Sequence, residues 1–371
     1  MKINKQLTIF IFILIIGGIA YSIIPSFERE EFNPEIVEDI SSGTITTTTI
    51  ETIETIENED TNEEPADGDS EEIFENDVYD NLLINNSSKR IDNIFTSYLV
   101  IGTDERSENS SASRGTAEGS RADVILIVMI DDQSKVSMVS LPRDLLIEDP
   151  CTKKIQRINS SFNNNGCGSN AENLSAVILN ITGLKIDHFV KFTFEGFEKI
   201  IDSLNGVEIC VDETQREGFS FELQKGCNVV SGEIALNWIV SRNTEVLDGQ
   251  KLIDENGEDV SNWKPMSGVS DLTRIQKQQR LILSLMQRIN NFESFNSFLN
   301  FVNALENAFT IDQNISIFEA SNLLWEFREI NFEKVNKLIV PTYNYTTENG
   351  AQVLILNENF YNFLSSKDLI D

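Results

Sequence analysis

Three short apolar runs between Tyr98 and Asp144 constrain this chain more than any other feature. They are Tyr98-Leu-Val-Ile101, Val124-Ile-Leu-Ile-Val-Met-Ile130 and Val136-Ser-Met-Val-Ser-Leu141. Each is β-rich and bounded by Gly, Pro or polar residues, so each reads as a strand. The second and third are joined by Asp131-Asp-Gln-Ser-Lys135, a polar turn of hairpin length, which makes them antiparallel. If the first two are antiparallel as well, the end of strand one, the start of strand two and the end of strand three meet at one end of the sheet. Those places carry Asp104 and Arg106, Arg121 and Asp123, and Arg143 and Asp144. Arginines and aspartates from three segments gather there, and this is the expected active site.

Charge sharpens the point. The chain has 371 residues and a formal net charge of −31, which argues against a nucleic-acid partner, since phosphate contacts need a basic face. About twenty Asp and Glu fall between Phe27 and Ser88 against Arg29 alone, so much of the acidity lies in a self-repelling segment. Arginines kept at a sheet end against that background point to a bound anion.

The chain has one histidine, His188, at the entry to an apolar strand. It reads as a strand-end or core histidine, which nearly excludes histidine-based hydrolysis and His-rich metal sites. Four cysteines fall as two close pairs, Cys151/Cys167 and Cys210/Cys227, with no CxxC motif. Oxidised, each pair closes a loop of about 16 residues, worth roughly 3 kcal/mol. Two disulfides imply an extracytoplasmic compartment; four buried free thiols are the alternative.

Residues 1–6 form a short basic tail, and 7–24 are almost wholly apolar and uncharged. As a helix this run spans about 27 Å, near the thickness of a bilayer core. Lys2 and Lys5 precede it, which places the N-terminus in the cytoplasm. The rival is a cleaved signal peptide with Ala20-Tyr-Ser22 at its cleavage site; the long run and Pro25 favour an anchor. Residues 25–90 read as a disordered acidic, Thr-rich tether and 91–371 as one extracytoplasmic domain.

Within that domain Asn170 is expected to cap a helix from Ala171 to Thr182, stopped by Gly183. A strand is expected over Phe189–Phe194, a helix through Phe197 and Leu204, a strand over Val207–Val211 and a helix from Ser231 to Arg242. A polar insertion then fills 243–270, a long helix runs from Asp271 to about Ile289, and a strand pair is expected near Leu338–Val340 and Val353–Leu356. Helices alternating with strands around an antiparallel start predict an α/β fold: a mixed sheet with helices on both faces.

The motifs lie in a familiar order. Gly102-x-Asp104-x-Arg106, Arg121-x-Asp123, Ser140-Leu-Pro-Arg-Asp144 and Arg157-Ile-Asn-x-x-Phe162 come first. Ile186-Asp-His-Phe189, Gly196-Phe197 with Leu204-Asn-Gly-Val207, Gly232-Glu-x-Ala-Leu236, Ser241-Arg242 and Asp271-Leu-x-Arg274-x-x-x-Gln278-Gln279 follow. Over residues 95–290 the chain thus resembles the LytR-CpsA-Psr (LCP) domain, and its cysteine placement is similar to the actinobacterial-type branch. The resemblance implies an α-β-α sandwich outside the cytoplasm, behind a membrane anchor. It also implies transfer of a glycopolymer from a polyprenyl-pyrophosphate carrier to a peptidoglycan hydroxyl, with Mg²⁺ and an apolar lipid tunnel.

The residue chemistry fits such a reaction. Displacement at a diphosphate needs charge neutralisation more than a strong nucleophile, and Arg offers a charged planar fork to phosphate oxygens. Arg121, Arg143, Arg157, Arg242, Arg274 and Gln278 are the expected diphosphate ligands, with Arg274 and Gln278 one helical turn apart. Asp104 and Asp123 are the expected metal ligands. The general base is left open: Asp123 and Asp104 are within the candidate set but are also the metal ligands, and Asp144 beside Arg143 orients that arginine. Phe192, Phe194, Phe197, Ile282, Leu285, Met286 and Ile289 either line the tunnel or pack as ordinary core. The family's usual arginine two residues before Arg242 is Val240 here, and its lysine ahead of Ile-Asn is Arg157. A prenyl-diphosphate pyrophosphatase and a non-catalytic carrier-binding or regulatory protein remain as alternatives.

Overall fold

The computed structural model describes residues 28–30, 32–34, 37, 82–91, 94–103, 121–162, 168–267, 271–290, 292, 308–313 and 334–370. Among these, no helix is long and apolar enough to cross a membrane; the run 7–24, read as the anchor, lies outside them. So do Asp104, Arg106 and Cys167.

In chain order the strands begin with β1 (Glu28–Glu30), β2 (Phe95–Thr103), β3 (Ala122–Asp131), β4 (Val136–Leu141), β5 (Leu146–Glu148) and β6 (Ile155–Arg157). Helix α1 (Asn170–Thr182) leads to β7 (His188–Thr193), and helix α2 (Phe194–Ser203) to β8 (Val207–Val211). Next come β9 (Gln215–Glu217), β10 (Phe221–Leu223), β11 (Gly226–Val230) and helix α3 (Gly232–Val240). Strands β12 (Glu245–Leu247) and β13 (Trp263–Pro265) precede the long helix α4 (Asp271–Asn290). After it stand β14 (Phe309–Asp312), β15 (Asn336–Ile339), β16 (Thr342–Thr346), β17 (Gln352–Leu356) and helix α5 (Phe360–Ser365).

The central sheet has seven strands in the order β1-β14-β7-β2-β3-β4-β15. As expected, β2–β3 and β3–β4 are antiparallel, with Tyr98 opposite Val128 and Ile125 opposite Leu141. Strand β7 lies parallel to β2, and β15 parallel to β4, so the sheet is mixed. Strands β2, β4, β7 and β15 therefore finish at one end, here called the upper end, where β3 and β14 begin.

The apolar runs are nearly unbroken because both faces of these strands are buried. On one face Leu99, Ile101, Ile127 and Met129 pack under α1, through Leu174, Val177 and Ile178. On the other, Leu126, Val128 and Met138 meet Leu283 of α4. Helices thus cover both faces, which is the sandwich the sequence led us to expect. A further cluster joins α2, α3, β8 and α4 through Ile201, Val207, Leu236, Trp238 and Leu281. Phe192, Phe194 and Phe197 pack against it and Leu285 is buried in it, so these tunnel candidates serve as core. Ile282 packs on the sheet cluster. The side chains of Met286 and Ile289 lie outside the description.

Several boundaries shift. The cap of α1 is Ser169 rather than Asn170: its side chain accepts from the Glu172 amide while Glu172 reaches back to the Ser169 amide. Gly183 ends that helix with φ 70°, a left-handed conformation that a β-carbon disfavours. Helix α3 stops at Val240, leaving Arg242 beyond its C-cap Ser241. The stretch 243–270 is more than a polar insertion, since β12 and β13 join β9 and β10 in a four-stranded sheet. The expected late strand pair is also wrong: β15 pairs with β4 and β17 with β16. Nor is 25–90 wholly a linker. Strand β1 belongs to the central sheet, Phe32 and Val37 are buried in the main core, and Ile84–Asn86 form a short helix whose Asn86 Nδ2 donates to the Leu146 carbonyl.

Candidate active site

The upper end is built on a close approach. A β-carbon on Gly102 would sit 2.9 Å from the Val124 side chain, so only glycine lets β2 lie against β3 at this point. The register then shifts between Gly102 and Thr103, and Thr103 pairs with Ala122. Asp123 follows at once on β3. Across from it, Pro142 ends β4 and turns Arg143 toward β3, where Arg143 Nη1 donates to Asp123 Oδ1.

The chain around Arg143 is held from several sides. Leu145 N donates to the Pro142 carbonyl (3.1 Å) and Asn159 N to the Arg143 carbonyl (3.2 Å). Leu354 N, on β17, donates to the Asp144 carbonyl (2.9 Å). Strands β5 and β6 pair with Leu146 opposite Arg157, which delivers Arg157 to the same corner. The carboxylate of Asp144 lies between two arginines, 3.7 Å from Arg143 Nε and 3.6 Å from Arg157 Nε. Arg157 Nη2 also donates to the Gln352 carbonyl (3.2 Å). Asp144 thus stands as a shared counter-charge between two guanidinium groups.

Helix α4 brings the other side. Gln279 Nε2 donates to Ser140 Oγ (2.9 Å) and to the Leu338 carbonyl (3.0 Å), fixing the helix to β4 and β15. That docking sets the height of Arg274 and Gln278, both half-buried on the same helix. The Arg274 guanidinium is lowered to about 10, first by burial and then by the positive charges of Arg143 and Arg242. Asp144 and Asp123 pull it the opposite way. The charges of Arg143, Arg242, Asp123 and Asp144 thus all reach Arg274, which places these groups around one space. Arg121 and Arg242 are exposed. Of the expected metal pair only Asp123 is described, and among the described residues the one tight cluster of ligating types, Glu208 with Cys210 and Cys227, is taken up by a disulfide.

Lys277 has no part in the sequence-based site. It is 6% exposed; its Nζ donates to Thr244 Oγ1 (3.1 Å) and the Trp238 carbonyl (3.3 Å) and lies over the Trp238 ring, 5.3 Å from its centre. Thr244 Oγ1 also meets Ser241 Oγ (2.7 Å), so Lys277 ties α4 to the turn bearing Arg242. Burial lowers its amine to about 8, with Glu217 opposing and Arg274 adding to the shift. A signal was present: Lys277 shares one helical face with Leu281 and Leu285, a polar group inside an apolar stripe. His188 opens β7 at the opposite end of the sheet, the strand-end position expected of it, with Nδ1 3.2 Å from buried Asp312 and its ring stacked on Tyr98. Cys210 and Cys227 are bonded across the β8–β11 pair. Cys151 is also disulfide-bonded.

With this geometry in view, comparisons place the chain among known proteins. It matches the LytR_cpsA_psr family over residues 47–251 and 258–367. Among curated relatives it is 26% identical over 165 residues to the probable cell wall biosynthesis protein LcpB of Corynebacterium glutamicum, covering 43% of this chain and 39% of that one. It is 30% identical over 161 residues to the polyisoprenyl-teichoic acid–peptidoglycan teichoic acid transferase TagU of Bacillus licheniformis, covering 42% and 46%. These matches span less than half the length of each relative. Among solved structures, the LytR-Csp2A-Psr enzyme from Actinomyces oris shares the fold, with TM-score 0.54, 20% identity and coverage of 76% of this chain and 96% of that one.

Proposed function

The chain belongs to the LytR-CpsA-Psr family, and on that premise we propose that it is a membrane-anchored phosphotransferase of cell-wall assembly. It moves a glycopolymer from a polyprenyl-pyrophosphate carrier to a peptidoglycan hydroxyl and leaves a phosphodiester. The observation that carries this is the gathering of Arg143, Arg242 and Arg274 with Asp123 and Asp144 at one sheet end, in a chain of net charge −31. The run 7–24 serves as the anchor, and the Cys210–Cys227 bond supports a domain outside the cytoplasm.

The chemistry follows from the charges. Arginine forks hold the diphosphate oxygens and spread the charge that builds as the bridging bond breaks. The acceptor oxygen bonds to the phosphorus that carries the polymer, polyprenyl phosphate leaves, and the hydroxyl proton passes to a carboxylate. The candidates for that proton are Asp123 and Asp104, through whichever carboxylate oxygen arginine and metal leave available. The carboxylate of Asp123 is 22% exposed and bonds Arg143 through Oδ1, and Asp104 follows directly on Thr103; such oxygen donors suit Mg²⁺. When bound, the ion would neutralise phosphate charge.

The test is transfer itself. Full-length protein in vesicles is given a labelled polyprenyl-pyrophosphate glycan, peptidoglycan fragments and Mg²⁺, beside Asp104→Ala and Arg143→Ala. Labelled phosphodiester on the wall fragment, lost in both variants and with chelator, is the expected result. Phosphate release without transfer would instead indicate a pyrophosphatase, and tight donor binding without turnover a carrier-binding protein.

A further inference from the structure

Strand β1 has a direction, and it bears on where the membrane lies. It runs parallel to β14, with Glu28 opposite Thr310 and Glu30 opposite Asp312. Strand β14 is antiparallel to β7, whose last residue, Thr193, pairs with Thr103 at the upper end. The chain therefore enters β1 from the upper end, at the edge of the sheet with β14, β7 and β2 between it and β3, and descends. Only Pro25, Ser26 and Phe27 separate the apolar run ending at Ile24 from Glu28. Extended chain covers at most about 3.6 Å per residue, so this link reaches no more than about 14 Å.

The acidic stretch adds no reach. Phe32 is 2% exposed and Val37 1%, both in the main core, and the chain is again part of the fold by Leu82. Residues 38–81 connect Val37 and Leu82, both of which belong to the fold, so their length adds nothing to the link between anchor and domain.

Resting on the anchor assigned above, we propose that the upper end of the sheet is the membrane-facing surface, docked on the anionic headgroup layer of the bilayer. Charge agrees: Arg121 and Arg242 are exposed at this end, whereas the chain as a whole repels an anionic surface. The diphosphate of a lipid carrier sits at headgroup depth, so this orientation brings the arginines to it without drawing the lipid out.

Two single-cysteine labels in the full-length protein test the orientation without requiring turnover. Glu195→Cys lies at the start of α2, at the upper end, where Glu195 is 46% exposed. Gln133→Cys lies in the exposed β3–β4 turn, one strand length or about 30 Å away. In phosphatidylethanolamine–phosphatidylglycerol vesicles carrying a nickel-chelating lipid, a spin label at 195 should relax strongly and one at 133 weakly. A 20-residue Gly/Ser spacer between Ser26 and Phe27 should remove the effect at 195; the same spacer between Asp60 and Thr61 should leave it. Equal relaxation at both sites, the reverse order, indifference to the first spacer, or release of the protein from vesicles by carbonate would each overturn the proposal. If label 195 stays near the headgroups while the wild type transfers nothing, the enzymatic function falls and the orientation stands.

Discussion

The two sides of the site hold their arginines differently. On the β4–β6 side, Arg143 and Arg157 lean on Asp123 and Asp144, and the backbone between them is bonded to β17. On the α3–α4 side, Arg274 is half-buried, and its proton is loosened by burial and by neighbouring positive charge. One side is a compensated corner that sets geometry. The other carries surplus charge that an incoming anion relieves, so donor binding should gain most there.

The largest effect should come from breaking the compensated side. Arg143→Ala removes the fork that the proposed reaction assigns to the phosphate and strands Asp123, and transfer should fall by about 10²–10³-fold in kcat. Arg143→Lys should recover little, because a point charge cannot replace the planar fork. Steady-state kinetics separates kcat from KM here, and a loss confined to KM would erase the distinction between the sides. Arg274→Ala should do the converse, raising KM for the donor by about 10–10²-fold while leaving the melting temperature unchanged or higher by about 2–4 °C. A clear fall in melting temperature would mean that the folded protein needs this charge.

The smallest effect is a slope. The folded Lys277 amine titrates at about 8 against 10.5 for the free side chain. Between those values the unfolded chain holds the proton and the folded one does not, so stability rises with pH by up to about 1.4 kcal/mol per unit. Urea unfolding across that window should show the rise in the wild type and a flatter profile in Lys277→Met. Identical profiles would remove Lys277 as the group that titrates.

The sheet was legible because strands buried on both faces leave continuous apolar runs, and the hairpin turn gave their direction. The starts of α1 and α3 could be read to within a residue, while α2 begins at Phe194, inside the expected strand. At α1, Ser169 and Asn170 are both good caps, and the reciprocal bond to Glu172 decides between them. Strand β1 was hidden because Glu28-Arg-Glu30 pairs through its backbone, a property its side chains do not advertise. The partners of β15 and β17 were hidden for a related reason: strand pairing depends on where distant segments fall. At the site, Arg143 and Asp144 were placed by the strand pattern, whereas Arg157, Arg242 and Arg274 came with the family motifs. Lys277 was passed over because a lysine is expected at a surface, and its burial follows from the packing of α3 on α4.

The bond from Leu354 to Asp144 also concerns time. A chain made from its N-terminus onward completes β2, β3 and β4 early and holds the arginine motifs for some two hundred residues before β17 is available. Until then the Asp144 corner lacks the strand that braces it, and Gln279 lacks the Leu338 carbonyl that seats α4. The arginine corner is therefore among the last parts of the molecule to assemble. A chain still emerging would carry the residues of the proposed site without their arrangement.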